Sequence, residues 1–231
     1  MQTYTHYVLT DFLGRKIQAS QAKLGLDPST TASLLDGSTS TGANLGSSLP
    51  PWRNRAALLG SVAPDTPLIA AFLLFLALDL LSKQSNDNHT PDAQTDESVV
   101  QKPTKQSWVG YLFGTLFFKD WRMKFLHNLF HAPILTLLYV GLGYGAWRWG
   151  KSWGAELFWF GMSCMLHTAI DVPLHYDDGP LLLFPFDWEK RYYSPVSYWD
   201  TRRHGGQFRV VEHALLFILL LWLIYDWLSH R

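Results

Sequence analysis

With 231 residues the chain has the length of one domain, or one domain plus tails, and is long enough to bury a real core. Its 19 basic residues balance 19 acidic ones, which argues against a nucleic-acid polyanion as the main partner. A lone cysteine, Cys164, lies in an apolar run; it excludes a disulfide framework and is expected to be a small buried hydrophobe.

The mean hydropathy near zero averages very polar stretches with very apolar ones. Aromatics make up 15% of the chain, and many of the 11 tryptophans stand at the ends of apolar segments, as in an interfacial aromatic belt. The opening MQTYTHYVLTDFLGRK has no basic region followed by an apolar core, so no cleavable signal peptide is expected.

In chain order, Tyr4–Leu24 carries a helical pattern with Tyr7, Val8, Phe12 and Ile17 apolar, and His6 in its first turn. The Ser, Thr and Gly of Leu26–Pro51 predict a loop. A short helix, Arg53–Val62, leads into Ala63–Pro67, where two prolines predict an extended break. Pro67–Ser82 is an apolar helix interrupted by Asp79, marginal as a span because crossing takes roughly 20 residues. Asn86–Lys105 reads as a polar, disordered linker.

Trp108–Asp120 is aromatic and amphipathic and is followed by Trp121–Ala132. Ile134–Trp149 and Trp153–Ile170 predict a helical hairpin across a tight Gly150–Ser152 turn. Gly141, Gly143 and Gly145 are expected to let its helices approach closely. Pro173–Arg209 is long, aromatic and charged, and Val210–Leu228 is the most hydrophobic helix, with Glu212 and His213 in its first turn.

The expected fold class is therefore all-α: an integral membrane helical bundle with three to four apolar helices and polar, disordered loops. Its parts are an N-terminal amphipathic helix (1–25), a flexible loop (26–51), a short helix plus apolar helix (52–82), a disordered linker (83–107) and the membrane bundle (108–231) that carries the candidate metal site. The lipid bilayer is the expected partner.

His127 and His131 form H-x-x-x-H, a spacing that aims two imidazoles at one ion. His167, Asp171 and His175 recur every four residues and share a helix face. Ionisable groups inside an apolar helix are costly and are usually functional. Pro173 is expected to break that face before His175. In the predicted bundle the helix ends bearing these residues, together with Glu212 and His213, point the same way. Arg202 and Arg203 read either as a phosphate clamp or as a basic membrane-surface anchor.

The blocks THYVLTDFLGRK, LLGSVAPDTPL, HNLFHAP and LHTAIDVPLHYDDGPLLLFP, in this order, cover about a third of the chain. Together they resemble the LexA-regulated, membrane-bound metal-dependent hydrolases, related to the zinc-dependent phospholipase C and P1 nuclease superfamily. The resemblance implies a divalent metal, zinc in the first instance, held by His6, Asp65 (the acid of Gly60–Asp65), His127, His131, His167 and Asp171. An apolar run ending in proline after the last motif is matched by Leu181–Pro185. The chain departs from the family in following its central histidines with Ala132 and Pro133, and its Pro-Asp with Thr66 and Pro67.

The function expected is hydrolysis of an ester or phosphodiester by metal-activated water at the membrane surface, with Glu212 or His175 moving the proton and an amphiphilic or phosphate-containing substrate. The alternative is a non-catalytic membrane protein, either haem-binding or a scaffold or assembly factor, whose polar site is structural. If Pro67–Ser82 crossed the bilayer, Asp65 would lie on the far side from His167. Membership of Asp65 in the site therefore requires that helix to be re-entrant, in-plane or packed on the bundle.

Overall fold

A computed structural model describes residues 3–23, 55–87 and 107–229. The loop expected over 26–51 and the linker from 88 to 106 lie outside the described residues. Among the described residues the regular secondary structure is helical throughout, and a single isolated antiparallel bridge pairs Leu181 with Arg191. The chain divides into two compact units, Met1–Asp65 with Asn128–Arg231, and Thr66–His127.

The first unit contains α1 (Thr3–Lys23), α2 (Arg55–Val62), the last turn of α6 (Trp121–His131), α7 (Pro133–Arg148), α8 (Gly154–Asp171) and α9 (Gly205–Ser229). α6 stops at a single extended residue, Ala132 (φ −72°, ψ 130°), and Pro133 opens α7. A proline in the first helical turn loses no hydrogen bond, so the break is clean rather than a strained kink.

α7 and α8 form the expected hairpin. Gly150 makes its turn at φ 70°, the left-handed region that favours glycine. Of the three glycines predicted to permit close approach, only Gly143 does: a Cβ there would sit 2.3 Å from the Phe158 backbone nitrogen. Gly141 and Gly145 have nothing within 4 Å, and the opposing contacts come from Gly154 against Trp147 and Gly161 against Val140. α2 packs on α8 by the same device, since a Cβ on Gly60 would meet the Phe160 carbonyl oxygen at 2.3 Å.

α1 lies against α2 and runs in the same direction as α9. Tyr4 meets His213, Phe12 meets Trp222 edge-on, and Arg15 pairs with both Asp11 and Asp226. Between α8 and α9 the chain is irregular apart from two 3₁₀ turns, Val172–Leu174 and Thr201–Arg203. It folds over a small core of Ala132, Leu181 and Phe184, pinned where Asn128 Oδ1 accepts the Leu181 N–H at 2.7 Å. α9 begins at Gly205, five residues earlier than its hydropathy suggests, so Glu212 lies two turns into the helix rather than in its first turn.

In the second unit α3 (Thr66–Asp87) starts with Pro67 in its first turn and continues past Ser82, because Lys83–Asp87 holds no glycine or proline to stop it. The next stretch is α4 (Trp108–Tyr111), a π-helical turn (Leu112–Leu116) and α5 (Phe117–Lys119). Asp79, given no role from sequence, accepts the first two amide protons of α4, from Trp108 (2.7 Å) and Val109 (3.0 Å).

By length and composition two helical segments can cross a membrane, Gly154–Leu174 and Gly205–Ser229, or up to four if each of two bent helix pairs counts as one span. α7, expected to be a clear span, has 16 residues and so reaches only about 24 Å, short of a hydrocarbon core of roughly 30 Å.

Candidate metal centre

Four elements of the first unit bring donors together. α1 supplies His6 from its first turns, and the Ala63–Asp65 turn after α2 supplies Asp65. His131 is the last residue of α6, and His167 and Asp171 stand one helical turn apart at the end of α8. His6, His131, His167 and Asp171 are buried, and Asp65 is partly so. Asp171 is the hub. Its Oδ1 lies 3.1 Å from His6 Nε2, and its Oδ2 lies 3.1 Å from His167 Nε2 and 3.4 Å from His131 Nε2. Asp65 Oδ1 approaches His167 Nε2 to 3.5 Å, and its other oxygen accepts the Thr3 hydroxyl at 2.6 Å. The His6 and His167 rings stack 3.7 Å apart at 12°, and His131 meets His167 edge-on.

His167 decides what these groups can do. Its Nδ1 is 2.8 Å from the Ser61 carbonyl oxygen. A carbonyl can only accept, so Nδ1 carries a proton, and in the neutral ring Nε2 would turn a lone pair outward. Nε2 faces oxygens of Asp171 and Asp65 without an aligned hydrogen bond to either. Three acceptors converging in a buried place repel one another unless a cation lies among them, either a proton on Nε2 or a metal ion.

The donor set fits a metal. Ligand atoms held tetrahedrally at roughly 2.0–2.1 Å from one zinc-like ion stand about 3.4 Å apart, and the contacts to Asp171 and Asp65 span 3.1–3.5 Å. Two overlapping groups, His6–His167–Asp171 and Asp65–His131–His167, each keep their ligand atoms within 4.8 Å of one another. A backbone carbonyl fixing the tautomer of a ligand histidine is the usual outer support of such a site. Thr3 on Asp65 has a similar place, and Thr168 anchors His131 by donating to its carbonyl oxygen at 2.9 Å.

Burial pushes the His6 imidazole below its ordinary value of 6.5, only partly offset by its hydrogen bond to Asp171, so it is held neutral as a ligand must be. Burial alone would raise the Asp65 carboxyl; with a proton as the cation on His167 Nε2, the attraction of that imidazolium holds Asp65 well below its ordinary value instead.

Pro173 ends the α-helix as expected, yet the 3₁₀ turn Val172–Leu174 carries His175 back. Its Nε2 is 3.9 Å from Asp171 Oδ2, and its Nδ1 is 3.0 Å from Asp178 Oδ2. Glu212 is buried in α9 but belongs to neither ligand group; its charge acts on Tyr4, whose hydroxyl is raised first by burial and then by Glu212. His213 is exposed, bound to the Arg209 carbonyl oxygen and to the Tyr4 hydroxyl. His127 belongs to the other unit, where its buried ring meets Phe117 edge-on at 5.1 Å.

Sequence reasoning missed Ser61, whose contribution is a carbonyl and leaves no trace in residue type. It also missed Thr3, which could have been sought one helical turn before His6. No family model matches the chain, and no curated protein or solved structure is significantly similar to it.

Proposed function

We propose that the chain is a membrane-bound metal-dependent hydrolase, with His6, Asp65, His131, His167 and Asp171 holding the ion. The observation that carries this reading is His167 Nε2 set between two carboxylates in a buried site, with Nδ1 held from behind by the Ser61 carbonyl. The four-block resemblance and the apolar helices support an amphiphilic ester or phosphodiester as substrate.

A bound zinc-class ion would lower the pKa of its water toward neutrality and polarise the scissile group. The chain's own residues do the rest. Ser61 and Thr3 hold His167 and Asp65 in their orientations. His175 at the rim, with Nδ1 paired to Asp178, turns Nε2 toward the cluster as the proton acceptor. Glu212 is the second candidate for that role.

Metal analysis of detergent-purified protein tests the reading. Stoichiometric divalent metal is expected in the wild type and a near-complete loss in His167→Ala and Asp171→Ala, with helicity retained. His127→Ala belongs in the same series because the resemblance assigns it a ligand role. Wild type that folds but carries no metal would sink the proposal in favour of a structural polar site.

A further inference from the structure

The segment after His175 holds a cluster of arginines that the metal centre does not use. Two of them are engaged. Arg191 donates to the Gly179 carbonyl oxygen and faces the charges of Asp178 and Asp177. Arg202 grips Asp200 with both faces of its fork, Nε to Oδ1 and Nη2 to Oδ2, each at 3.1 Å. Arg203 differs. Its guanidinium carbon lies 3.4 Å from the centroid of the Tyr176 ring, and its Nε reaches Asp200 only at 4.0 Å. Its two terminal nitrogens have no hydrogen-bond partner among the described residues, and its side chain is 38% exposed.

Its placement is built rather than accidental. The Arg203 backbone is fixed at both ends, its N–H on Asp200 and its carbonyl accepting from Ser197, each at 3.0 Å. Tyr176 is buttressed edge-on by Tyr193. Stacking on an aromatic face holds a guanidinium flat while leaving its edge donors free, the arrangement that matches a phosphate's oxygens. Tyr176 directly follows His175, whose Nε2 is 3.9 Å from the hub carboxylate. Tyr192, Tyr193 and Trp199, exposed on the same segment, are residue types that sit at the headgroup level of a bilayer.

We propose that Arg203, stacked on Tyr176 at the rim of the His/Asp cluster, binds a phosphate group of an anionic amphiphile and so sets the substrate class of the site. That the bound anion is part of a substrate rests on the hydrolase reading; that Arg203 binds phosphate does not.

The test is binding by the full-length protein in a nonionic detergent, with EDTA present so that no metal contributes. Three probes are titrated: dioctanoyl phosphatidic acid, dioctanoylglycerol, which lacks the phosphate, and inorganic phosphate. Wild type is expected to bind phosphatidic acid, and Arg203→Gln to bind it about tenfold more weakly. Arg203→Lys, which keeps the charge but not the planar fork, should fall between, and Arg202→Gln should match wild type. Dioctanoylglycerol should not distinguish the variants. Inorganic phosphate bound as tightly, and with the same dependence on Arg203, would support the phosphate site and assign it to free phosphate instead of a lipid headgroup.

Equal binding of phosphatidic acid by wild type and Arg203→Gln, an equal loss in Arg202→Gln, or no binding by wild type would overturn the proposal. If Arg203→Gln does not fold, Arg203→Lys decides alone: it must weaken phosphatidic acid severalfold and leave dioctanoylglycerol unchanged. Wild type that purifies without metal, yet binds phosphatidic acid through Arg203, would remove the hydrolase reading only. Metal-loaded protein indifferent to Arg203 would remove this proposal only.

Discussion

The α7–α8 hairpin and α9 are both strongly apolar, yet they use that character in opposite ways. α8 buries Gly154, Gly161, Ser163, Cys164, His167, Thr168 and Asp171, mostly small or polar residues, because its apolar bulk is not what faces the neighbouring helices. In α9 only Gly205, Glu212 and Leu219 are buried, while Val210, Val211, Phe217, Ile218, Leu221, Ile224 and Leu228 are exposed. Backbones brought together through glycine leave room at the helix ends for a polar cluster. A helix covered on one side by α1 leaves the rest of its apolar surface to the surroundings. Hydropathy marks both as candidate spans; packing separates a helix that buries polar groups from one that leaves its apolar face uncovered.

The sharpest way to break this contrast is a charge at the centre of α9. Phe217 is 62% exposed and lies midway along Gly205–Ser229. If that face meets hydrocarbon, Phe217→Asp should disfavour membrane insertion by about 3 kcal/mol, read as the inserted fraction in a translocation assay. In a helix exposed to water the same change should cost almost nothing, and an unchanged inserted fraction would refute the lipid-facing assignment.

The hairpin supplies a matched pair of smaller effects. Gly143→Ala forces a Cβ to within 2.3 Å of the Phe158 nitrogen, so the helices must part, at a cost of about 2 kcal/mol. Gly145→Ala, two residues along the same helix, meets nothing within 4 Å and should stabilise by up to about 1 kcal/mol through helix propensity. Thermal unfolding in detergent reads both. Two changes of the same sign would show that α7 and α8 are not in backbone contact at Gly143.

Much of this was legible beforehand, and the limits have physical causes. Helix positions follow from hydropathy period and proline; of the six ligands that the resemblance implies, His6, Asp65, His131, His167 and Asp171 fall in the two donor groups, and His127 belongs to neither. The topological objection to Asp65 fell away because α2 lies on α8 through Gly60 and delivers the Asp65 turn to His167, a contact between backbones that residue types do not announce. The glycine count in α7 could not say which one touches, since Gly141, Gly143 and Gly145 differ only in the face they occupy. The Ser61 carbonyl was invisible for the same reason. Arg202 and Arg203 looked equivalent until one proved bound to Asp200 and the other laid on Tyr176.

The smallest effect concerns His6, the group by which α1, lying along α9, reaches the end of α8. Its folded-state pKa is lowered by burial, so the folded protein keeps it neutral where the unfolded chain, near 6.5, takes up a proton. Unfolding then binds protons as the pH falls through 6.5, and stability drops with pH until the folded value is reached. Asp65, whose folded value is depressed from 3.8, contributes in the same direction but only in the carboxylate range. Metal retention should decline over the histidine window as well, because each ligand imidazole must be deprotonated. Denaturation of the metal-free protein between about pH 6.5 and 5 should therefore show falling stability in wild type and a flatter profile in His6→Gln, which keeps a donor for Asp171. Parallel profiles would mean that α1 is not held to the cluster through a neutral His6, and that the contact between the apolar α1–α9 side and the polar centre is made elsewhere.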